Sequence, residues 1–232
     1  MTEYILVSDI HGNASSLDKV VEAEGSGANY IVLGDIHGLN SYPSETVDLI
    51  QDINTSVVLA GNHDKAIFEY KEGHVNSDKL SEFEYSHTIN NLSDTQIAYM
   101  QTLPYMDIIE KEGSRICATH AMPYPEKASG YEKGNAGIPK SNVLTIASTV
   151  ADDYNYVFHG HTHQQYELDC SKFGHDVRFV NPGSVGYSGN YATIDTNSGD
   201  VKLKQVEVDD GKIMKHIDSV MSEDMPSVWS WY

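Results

Sequence analysis

Five short segments of the chain contain aspartate, asparagine or histidine, and each of them follows an apolar run. These segments are residues 9–11, 34–35, 61–64, 119–120 and 160–163. A lone aspartate at a strand end is ordinarily a turn residue, but the repeated combination of these residue types indicates more than turns. Because strand ends on one edge of an α/β sheet converge where ligands bind, we expect these side chains to share one site.

The donor groups in these segments are those that transition-metal ions bind. Carboxylate, amide oxygen and imidazole together suit Mn, Fe, Zn, Co or Ni. The two cysteines, Cys117 and Cys170, form no spaced motif, which argues against a structural zinc site made of thiolates. The potential ligands are too many for one tetrahedral ion, so they predict a pair of ions that share a carboxylate.

The first part of the chain predicts a parallel sheet. Residues 4–7, 30–33 and 56–60 form apolar runs, whereas residues 14–24 and the stretch opened by Pro43 have helical periodicity. Continuous apolar strands separated by helices are typical of a largely parallel sheet that is covered on both faces.

The remainder of the chain predicts helices followed by short strands. Residues 65–101 are mostly helical in pattern, and Ser93 with Gln96 matches a capping box. From Tyr156 onward, short apolar runs alternate with turns. This change of pattern predicts a second, more antiparallel sheet.

A loop over residues 121–141 is rich in proline, glycine and lysine. Loops of this length in a compact domain are usually functional or disordered, and this one directly follows His120. We interpret it as a lid over the site, with Tyr124 and Lys127 as candidate substrate contacts. The alternative is a solvated surface loop. The chain length favours a single domain over residues 1–232.

Taken together in order, the segments DIH, GD, GNHD, H and GHTH resemble the signature of the calcineurin-like metallophosphoesterases. The resemblance is strongest to a small prokaryotic subgroup and runs from residue 3 to about 187. It includes LSDTQIAYMQTLP and NPGSVG, which are similar to a helix and a turn of that subgroup. The implied fold is α/β (α+β), a four-layer β-sandwich of two mixed sheets flanked by helices.

Carried over residue by residue, the resemblance implies a dimetal centre. Its ligands would be Asp9, His11 and His163 on one ion, Asn62, His120 and His161 on the other, and Asp35 as the bridge. His63 would face the scissile phosphate as a proton donor or a stabiliser of charge, and Asp64 would orient His63. The implied cofactor is two divalent transition-metal ions (Mn, Fe, Zn, Co or Ni), with Mn favoured.

His37 lies in the second Asp-Ile-His-Gly segment and has no counterpart among the ligands of the family. We interpret it as a residue that supports the ligands, as polar residues near a site usually do, or that is exposed to solvent. The alternative is a candidate substrate contact. His159, which precedes the last segment, is interpreted as a strand-end residue rather than a ligand.

The charge balance restricts the partners. The net charge is −19, with 34 acidic and 15 basic residues, and the only arginines are Arg115 and Arg178. Duplex nucleic acid normally requires a basic face, so we expect no such partner. The early acidic residue and the strand pattern of the first residues are unlike a signal peptide. We therefore expect a cytoplasmic protein with no membrane partner.

The C-terminal residues Trp229, Trp231 and Tyr232 lie close together in the sequence. We interpret them as packing on the protein's own surface. The alternative is a contact between subunits in a homo-oligomer, because exposed aromatic clusters often mark interfaces.

The resemblance implies hydrolysis of phosphate esters. Protein serine/threonine phosphatases of the superfamily carry arginines beside the GD and GNH segments, and this chain has none there. Some small relatives follow NPGSVG with Pro-Arg, where this chain has Tyr187 and Ser188. A dianionic monoester gains most from a bidentate cation. We therefore favour a phosphodiesterase acting on small or nucleotide-like substrates. The alternatives are a phosphomonoesterase or protein phosphatase, a dinucleoside polyphosphate hydrolase and a non-catalytic scaffold.

Overall fold

The computed structural model describes residues 3–38, 42–74, 79–111, 113–121 and 137–208. This part of the chain forms two five-stranded sheets. The strands are β1 (Glu3–Val7), β2 (Asn29–Val32), β3 (Thr55–Val58), β4 (Met106–Lys111), β5 (Ser114–Thr119), β6 (Tyr156–Phe158), β7 (Tyr166–Asp169), β8 (Arg178–Asn181), β9 (Asn190–Asp195) and β10 (Asp200–Gln205).

Helices connect most of these strands. They are α1 (Ala14–Glu24), α2 (Pro43–Asp52), α3 (Asn62–Lys71), α4 (Lys79–Asn91), α5 (Asp94–Gln101), α6 (Val143–Val150) and α7 (Val185–Ser188). The predicted capping box at the start of α5 is confirmed, because the Ser93 side chain accepts from the Gln96 backbone and the Gln96 side chain accepts from the Ser93 backbone. Among the helices of the described part, none combines the length and apolar character needed to cross a bilayer.

The first sheet has the order β10-β9-β1-β2-β3. β1 pairs with β2, and β2 with β3, in parallel, whereas β9 runs antiparallel to both β1 and β10. The three parallel strands confirm the sheet that the apolar runs and intervening helices predict. Their carboxyl ends lie side by side at one edge, which is where the polar segments follow.

The second sheet has the order β4-β5-β6-β8-β7. β5, β6 and β8 are parallel neighbours, and the two outer strands, β4 and β7, are antiparallel to them. The carboxyl ends of β5 and β6 are therefore adjacent, and the remaining polar segments follow these two strands.

The alternation of side chains along β1 explains the layering. Tyr4 and Leu6 are buried between the two sheets. Ile5 and Val7 point to the opposite face and pack with Leu17 of α1. Full burial of such a side chain contributes roughly 1.5–3 kcal/mol, so both faces of this strand stabilise the fold. A strand segment buried on both faces is typically a continuous apolar run, as residues 4–7 of this strand are.

The second sheet is covered in the same way on its outer face. Cys117, Val157 and Phe179 from β5, β6 and β8 pack against Val143 and Val150 of α6. The order of layers is therefore helices, first sheet, second sheet and helix. This arrangement confirms the four-layer sandwich of two mixed sheets that the resemblance implies.

Two expectations about the second half of the chain are wrong. β9 and β10 join the first sheet rather than the second, and each sheet contains two parallel and two antiparallel pairs. Side-chain alternation specifies which face of a strand is buried but not which strand lies beside it. β4 is a further strand that the apolar pattern did not predict, because it lies at a sheet edge and none of its residues is fully buried.

Several predicted features lie outside the described residues. They include Tyr124 and Lys127 with most of the predicted lid over residues 121–141, and the aromatic residues Trp229, Trp231 and Tyr232. The lid, the substrate contacts within it and the oligomer contact therefore stay predictions.

Gly186 in α7 tests the packing of the loop that follows β1. A Cβ at this position would overlap the carbonyl oxygen of Ile10 and lie 3.1 Å from that of Asp9. We expect Gly186→Ala to lower the free energy of unfolding by about 1–3 kcal/mol, the usual cost of overpacking, in chemical denaturation. Gly27→Ala is the matched control, because no atom lies within 4 Å of its added Cβ. Equal stability of the two variants would contradict this close packing.

Candidate metal centre

The candidate ligands follow the carboxyl ends of strands from both sheets. Asp9 and His11 follow β1, Asp35 follows β2, Asn62 follows β3, His120 follows β5, and His161 and His163 follow β6. The His161 backbone N–H donates to the Asp9 carboxylate at 3.0 Å, and the Gly160 N–H donates to the His120 carbonyl at 3.0 Å. The first bond joins a loop of the second sheet to a loop of the first, whereas the second bond joins the loops after β5 and β6 within the second sheet. The donor groups of both sheets therefore meet in one region.

Five residues in these loops have a left-handed backbone. The non-glycine residues with positive φ in the described part of the chain are Asp9, His11, Asp35, His161 and His163, with φ of 52°, 50°, 49°, 68° and 54°. Such a conformation costs a non-glycine residue of order 1–3 kcal/mol and collects at functional sites. All five belong to the predicted ligand set, so the fold maintains this strain where the side chains converge.

Asp9, His11 and His163 form the first group of donor atoms. The Nε2 atoms of His11 and His163 are 3.1 Å apart. Oδ1 of Asp9 lies 3.3 Å from Nε2 of His163 and 4.0 Å from Nε2 of His11. Two imidazole nitrogens and a carboxylate oxygen thus point at one small volume, which is the arrangement that a transition-metal ion requires.

Asn62, His120 and His161 form the second group. Oδ1 of Asn62 lies 3.1 Å from Nε2 of His120 and 2.7 Å from Nδ1 of His161. Nδ1 of His120 donates to the Leu33 carbonyl at 2.7 Å. This bond fixes the tautomer and leaves Nε2 of His120 available for an ion, as a backbone partner commonly does for a metal-binding histidine.

Asp35 lies between the two groups. Its Oδ2 atom is 3.3 Å from Nε2 of His120, and its Oδ1 atom accepts a hydrogen bond from the backbone N–H of His63 at 2.9 Å. Ligand atoms of Asp35 lie within 4.8 Å of those of His120 and His161, and within 4.8 Å of those of His11 and His63. Its position is compatible with the bridging role that the resemblance implies.

Burial and charge set the protonation of these groups. Burial lowers the pKa of His11 to about 3, so its imidazole is neutral and able to bind an ion. Burial also opposes the charged form of His120, but the charge of Asp35 and the hydrogen bond to it, together with the charge of Asp9 and the bond to the Leu33 carbonyl, outweigh burial and raise the pKa of His120 to about 9. An ion bound at His120 would have to displace this proton, because a metal takes the unprotonated imidazole.

A buried carboxylate oxygen that makes no hydrogen bond among the described residues shows that this donor set fits cations. Oδ1 of Asp9 is buried and, within the described residues, makes no hydrogen bond, although Nε2 of His163 lies 3.3 Å away. An ionised carboxylate oxygen only accepts, and leaving such an atom buried without a partner is costly. The mixture of carboxylate, amide and imidazole around it is the donor chemistry of divalent transition-metal ions.

His63 lies beside this donor set, and its imidazole is hydrogen-bonded to a glutamate side chain from another helix. It lies in the first turn of α3, and its Nδ1 atom is 2.7 Å from Oε1 of Glu84 in α4. Burial lowers the pKa of His63, but the hydrogen bond to Glu84 and the negative charge of Asp35 outweigh it and raise this pKa to about 10. The ring is therefore charged before any cation binds.

Asp64 does not make the contact with the His63 ring that the resemblance implies. Its carboxylate accepts from the backbone N–H groups of Gly61, Ile36 and His37 at 2.7, 3.1 and 2.9 Å. It thus ties the loop after β2 to the start of α3, and Glu84 takes the place on the ring. No segment in the sequence marked Glu84, because it comes from a separate helix.

Tyr187 is a further residue at the site. Its ring lies 4.8 Å from the ring of His11 and 5.3 Å from that of His163, measured between centroids. The turn before it holds the loop after β1, because the Ser184 hydroxyl and the Gly186 N–H both donate to the Asp9 carbonyl. The turn predicted over residues 181–186 therefore contributes to the position of the first donor group.

Two histidines beside the centre are fully buried. His37 is not exposed, and neither ring nitrogen has a hydrogen-bond partner among the described residues. The alternative of a solvent-exposed His37 is therefore wrong. His159 bonds through Nε2 to the Tyr166 hydroxyl at 2.7 Å and faces Asn181 through Nδ1 at 3.2 Å. These contacts place His159 in a hydrogen-bond network rather than among the donor groups.

The chain matches a known protein family over most of its length. A model of the calcineurin-like phosphoesterase superfamily domain matches residues 3–199. The chain belongs to this superfamily. The matched region contains every candidate ligand, His63 and the strands β1 to β9, so the family assignment and the donor cluster concern the same part of the molecule.

The similar proteins match over nearly their whole length. An uncharacterized protein of Methanocaldococcus jannaschii is 25% identical over 243 residues, which cover 95% of this chain and 93% of that protein. A hypothetical protein from Pyrococcus horikoshii has a TM-score of 0.78 at 21% identity, covering 98% of this chain and 95% of that one. A metallophosphoesterase from Sphaerobacter thermophilus has a TM-score of 0.72 at 20% identity, covering 96% and 95%. These structures share the fold of this chain.

Metal content tests the assignment of the ligands. After saturation with Mn²⁺ and removal of the free ion, we expect about two ions per chain by elemental analysis. Asp35→Asn is expected to lose most of both ions, because Asp35 lies between the two groups. His163→Ala is expected to lose one. The control is His74→Ala, whose side chain is 69% exposed and pairs with Glu72. Normal metal content in Asp35→Asn would show that this residue does not bridge.

Proposed function

We propose that this chain is a dimetal-dependent phosphodiesterase for small or nucleotide-like substrates. The observation that carries the proposal is the convergence of two carboxylates, an amide and four imidazoles beside His63. Every ligand that the family pattern requires is present, and these groups lie together. A non-catalytic scaffold would have no need to maintain five strained ligand residues around them.

The positions of the arginines support a diester rather than a monoester. Arg178 pairs with Asp169 at 2.9 Å and with Glu167 at 3.4 Å. Arg115 pairs with Glu110 at 3.5 Å and bonds to the Asp153 carbonyl. Both guanidinium groups are engaged with acids away from the donor cluster. A singly charged diester depends less on a bidentate cation than a dianionic monoester does.

The overall charge supports a small substrate. At −19 the chain repels long polyanions, so the positive charge that attracts a phosphate has to be local. Two bound divalent ions would supply that charge and would lower the pKa of a water molecule to near neutrality. The residues of the chain hold the donor atoms in place and exclude bulk water from the buried part of the site, since Asp9, His11 and His120 are almost fully buried.

His63 would assist departure of the leaving oxygen. Its side chain is 35% exposed, whereas those of His11 and His120 are at most 2% exposed. It therefore lies where a substrate can reach it. With Nδ1 engaged by Glu84, Nε2 is the atom that would give a proton to the leaving oxygen, which is general acid catalysis.

A panel of substrates tests the proposed class. With added Mn²⁺, we expect faster hydrolysis of the diester bis(4-nitrophenyl) phosphate than of the monoester 4-nitrophenyl phosphate. Cyclic nucleotides and dinucleoside polyphosphates are tested beside them as nucleotide substrates. The readout is kcat/KM for each compound. A clear preference for the monoester would overturn the proposed order, and a preference for dinucleoside polyphosphates would favour that alternative. Absence of hydrolysis in the metal-loaded protein would favour the scaffold.

Replacement of His63 separates its role from that of the ligands. We expect His63→Asn to retain both ions, because the ring nitrogen Nδ1 is engaged by Glu84 rather than by a donor group. On a diester with a basic leaving oxygen, such as a phenyl ester, its kcat is expected to fall by about 10²–10⁴-fold, the usual contribution of general acid–base catalysis. Metal content and kcat are measured on the same sample, beside His74→Asn as the exposed control. Normal turnover in His63→Asn would remove this residue from the reaction.

A further inference from the structure

We propose that Glu84 is the positioning residue for His63, and that it holds the ring with Nε2 directed at the leaving group. The inference rests on the proposed hydrolysis of phosphate esters. Glu84 lies 21 residues after His63 and comes from α4 rather than from any of the strand-end loops. Its carboxylate is therefore contributed by a helix that supplies none of the candidate metal ligands.

The contact is short and largely buried. Nδ1 of His63 lies 2.7 Å from Oε1 of Glu84, and the Glu84 side chain is 5% exposed. A buried carboxylate is retained in a fold when it is paired and hydrogen-bonded. A bond of this length between an imidazole and a carboxylate is a strong, charge-assisted hydrogen bond.

This contact decides which nitrogen of His63 faces the substrate. An ionised carboxylate only accepts hydrogen bonds, so the Nδ1 atom must carry the proton. Nε2 is then the nitrogen that can exchange a proton with a substrate. A side chain without such a partner would divide its time among several rotamers, and only one of them would direct Nε2 correctly.

The backbone and a neighbouring ring complete the alignment. The His63 N–H donates to Oδ1 of Asp35 at 2.9 Å, which fixes the backbone at the start of α3. The ring centroid lies 5.0 Å from that of His11, with the ring planes at 90°. The His63 ring thus lies against the ring of His11 in the donor cluster, and Glu84 fixes its Nδ1 atom.

Asp64 cannot take this role in the observed arrangement. Both of its carboxylate oxygens accept backbone N–H groups, from Gly61 and Ile36 on one oxygen and from His37 on the other. Moving this carboxylate onto the His63 ring would leave these buried N–H groups without partners, at about 1–3 kcal/mol each.

The reaction step balances around this pair. A water molecule that has given one proton to solvent forms the new bond to phosphorus. The bond from phosphorus to the leaving oxygen breaks, and that oxygen takes the proton from Nε2 of His63. The neutral ring keeps the proton on Nδ1, which remains hydrogen-bonded to Glu84. Nε2 regains its proton from solvent. The net change is one diester and one water converted to one monoester and one alcohol.

The competing explanation is that Glu84 only ties α4 to α3. In that case its loss would lower stability and slow the cleavage of all esters alike. A positioning role predicts a dependence on the leaving group. A basic leaving oxygen needs the proton from His63, whereas a weakly basic one departs without it.

The test compares two diesters that differ only in the leaving group, phenyl and 4-nitrophenyl, in the Mn²⁺-loaded protein. We expect Glu84→Ala to lose about 10²-fold in kcat on the phenyl ester, the lower end for general acid catalysis, and much less on the nitrophenyl ester. Glu84→Gln can still accept from Nδ1 and is expected to recover part of the loss. Glu72→Ala is the matched control, because it breaks the exposed pair between Glu72 and His74.

A second readout needs no metal and no turnover. In protein labelled with ¹⁵N-histidine, the Nδ1 proton of His63 is expected to give a resolved downfield resonance, which disappears in Glu84→Ala and persists in Glu72→Ala. Persistence of this resonance in Glu84→Ala would overturn the proposal.

The kinetic outcomes separate this inference from the proposed function. If the wild-type protein cleaves both esters and Glu84→Ala loses the same factor on each, or none, the positioning role is wrong while the proposed function stands. If the metal-loaded wild type cleaves neither ester, the proposed function is wrong and the inference falls with it.

Discussion

Two carboxylates, Asp9 and Asp35, are buried side by side among imidazoles, and the rest of the site depends on this concentration of charge. Burial disfavours ionisation of both carboxyl groups, and the negative charge of Asp35 further disfavours ionisation of Asp9. Neighbouring histidines outweigh both effects and hold the pKa of each carboxyl below its usual value. Divalent cations in the same volume would provide the same compensation with more charge, which is why the donor set fits them.

The sandwich makes this concentration possible. Parallel strands from two sheets end at the same side of the molecule, so short loops from distant parts of the chain reach one volume. The loops take a left-handed backbone at five candidate ligand residues, and the apolar layers beneath provide the stability that such strain requires. Replacing a loop would not reproduce the site, because its geometry depends on both sheets.

The polar residues around the donor atoms divide into two kinds. Asp64 and Ser184 bind backbone groups and hold the loops together. Glu84 and the Leu33 carbonyl bind imidazole nitrogens and so choose which nitrogen faces the centre. The first kind fixes the conformation of the loops. The second kind fixes which nitrogen of each imidazole is directed at the centre. Neither kind supplies a guanidinium group, which is consistent with a substrate of low negative charge.

The sequence alone indicated the candidate donor set and determined most of the helices and strands. Asp9, Asp35, Asn62 and the later histidines follow apolar runs, and both the residue types and the strand-end positions are local properties that a sequence records. The helix start at Pro43 was predictable because proline has a fixed φ and lacks the N–H that the first helical position leaves unpaired. The capping box of Ser93 was predictable because a capping side chain bonds to its own first turn.

Only the tertiary structure decided which groups meet across the chain. It placed β9 and β10 in the first sheet, buried His37 and brought Glu84 to the ring of His63. Strand neighbours and contacts between helices depend on the packing of the whole core, and side-chain alternation in one segment carries no information about its partner. The orientation of His63 is therefore a property of the packed molecule rather than of the segment that contains it.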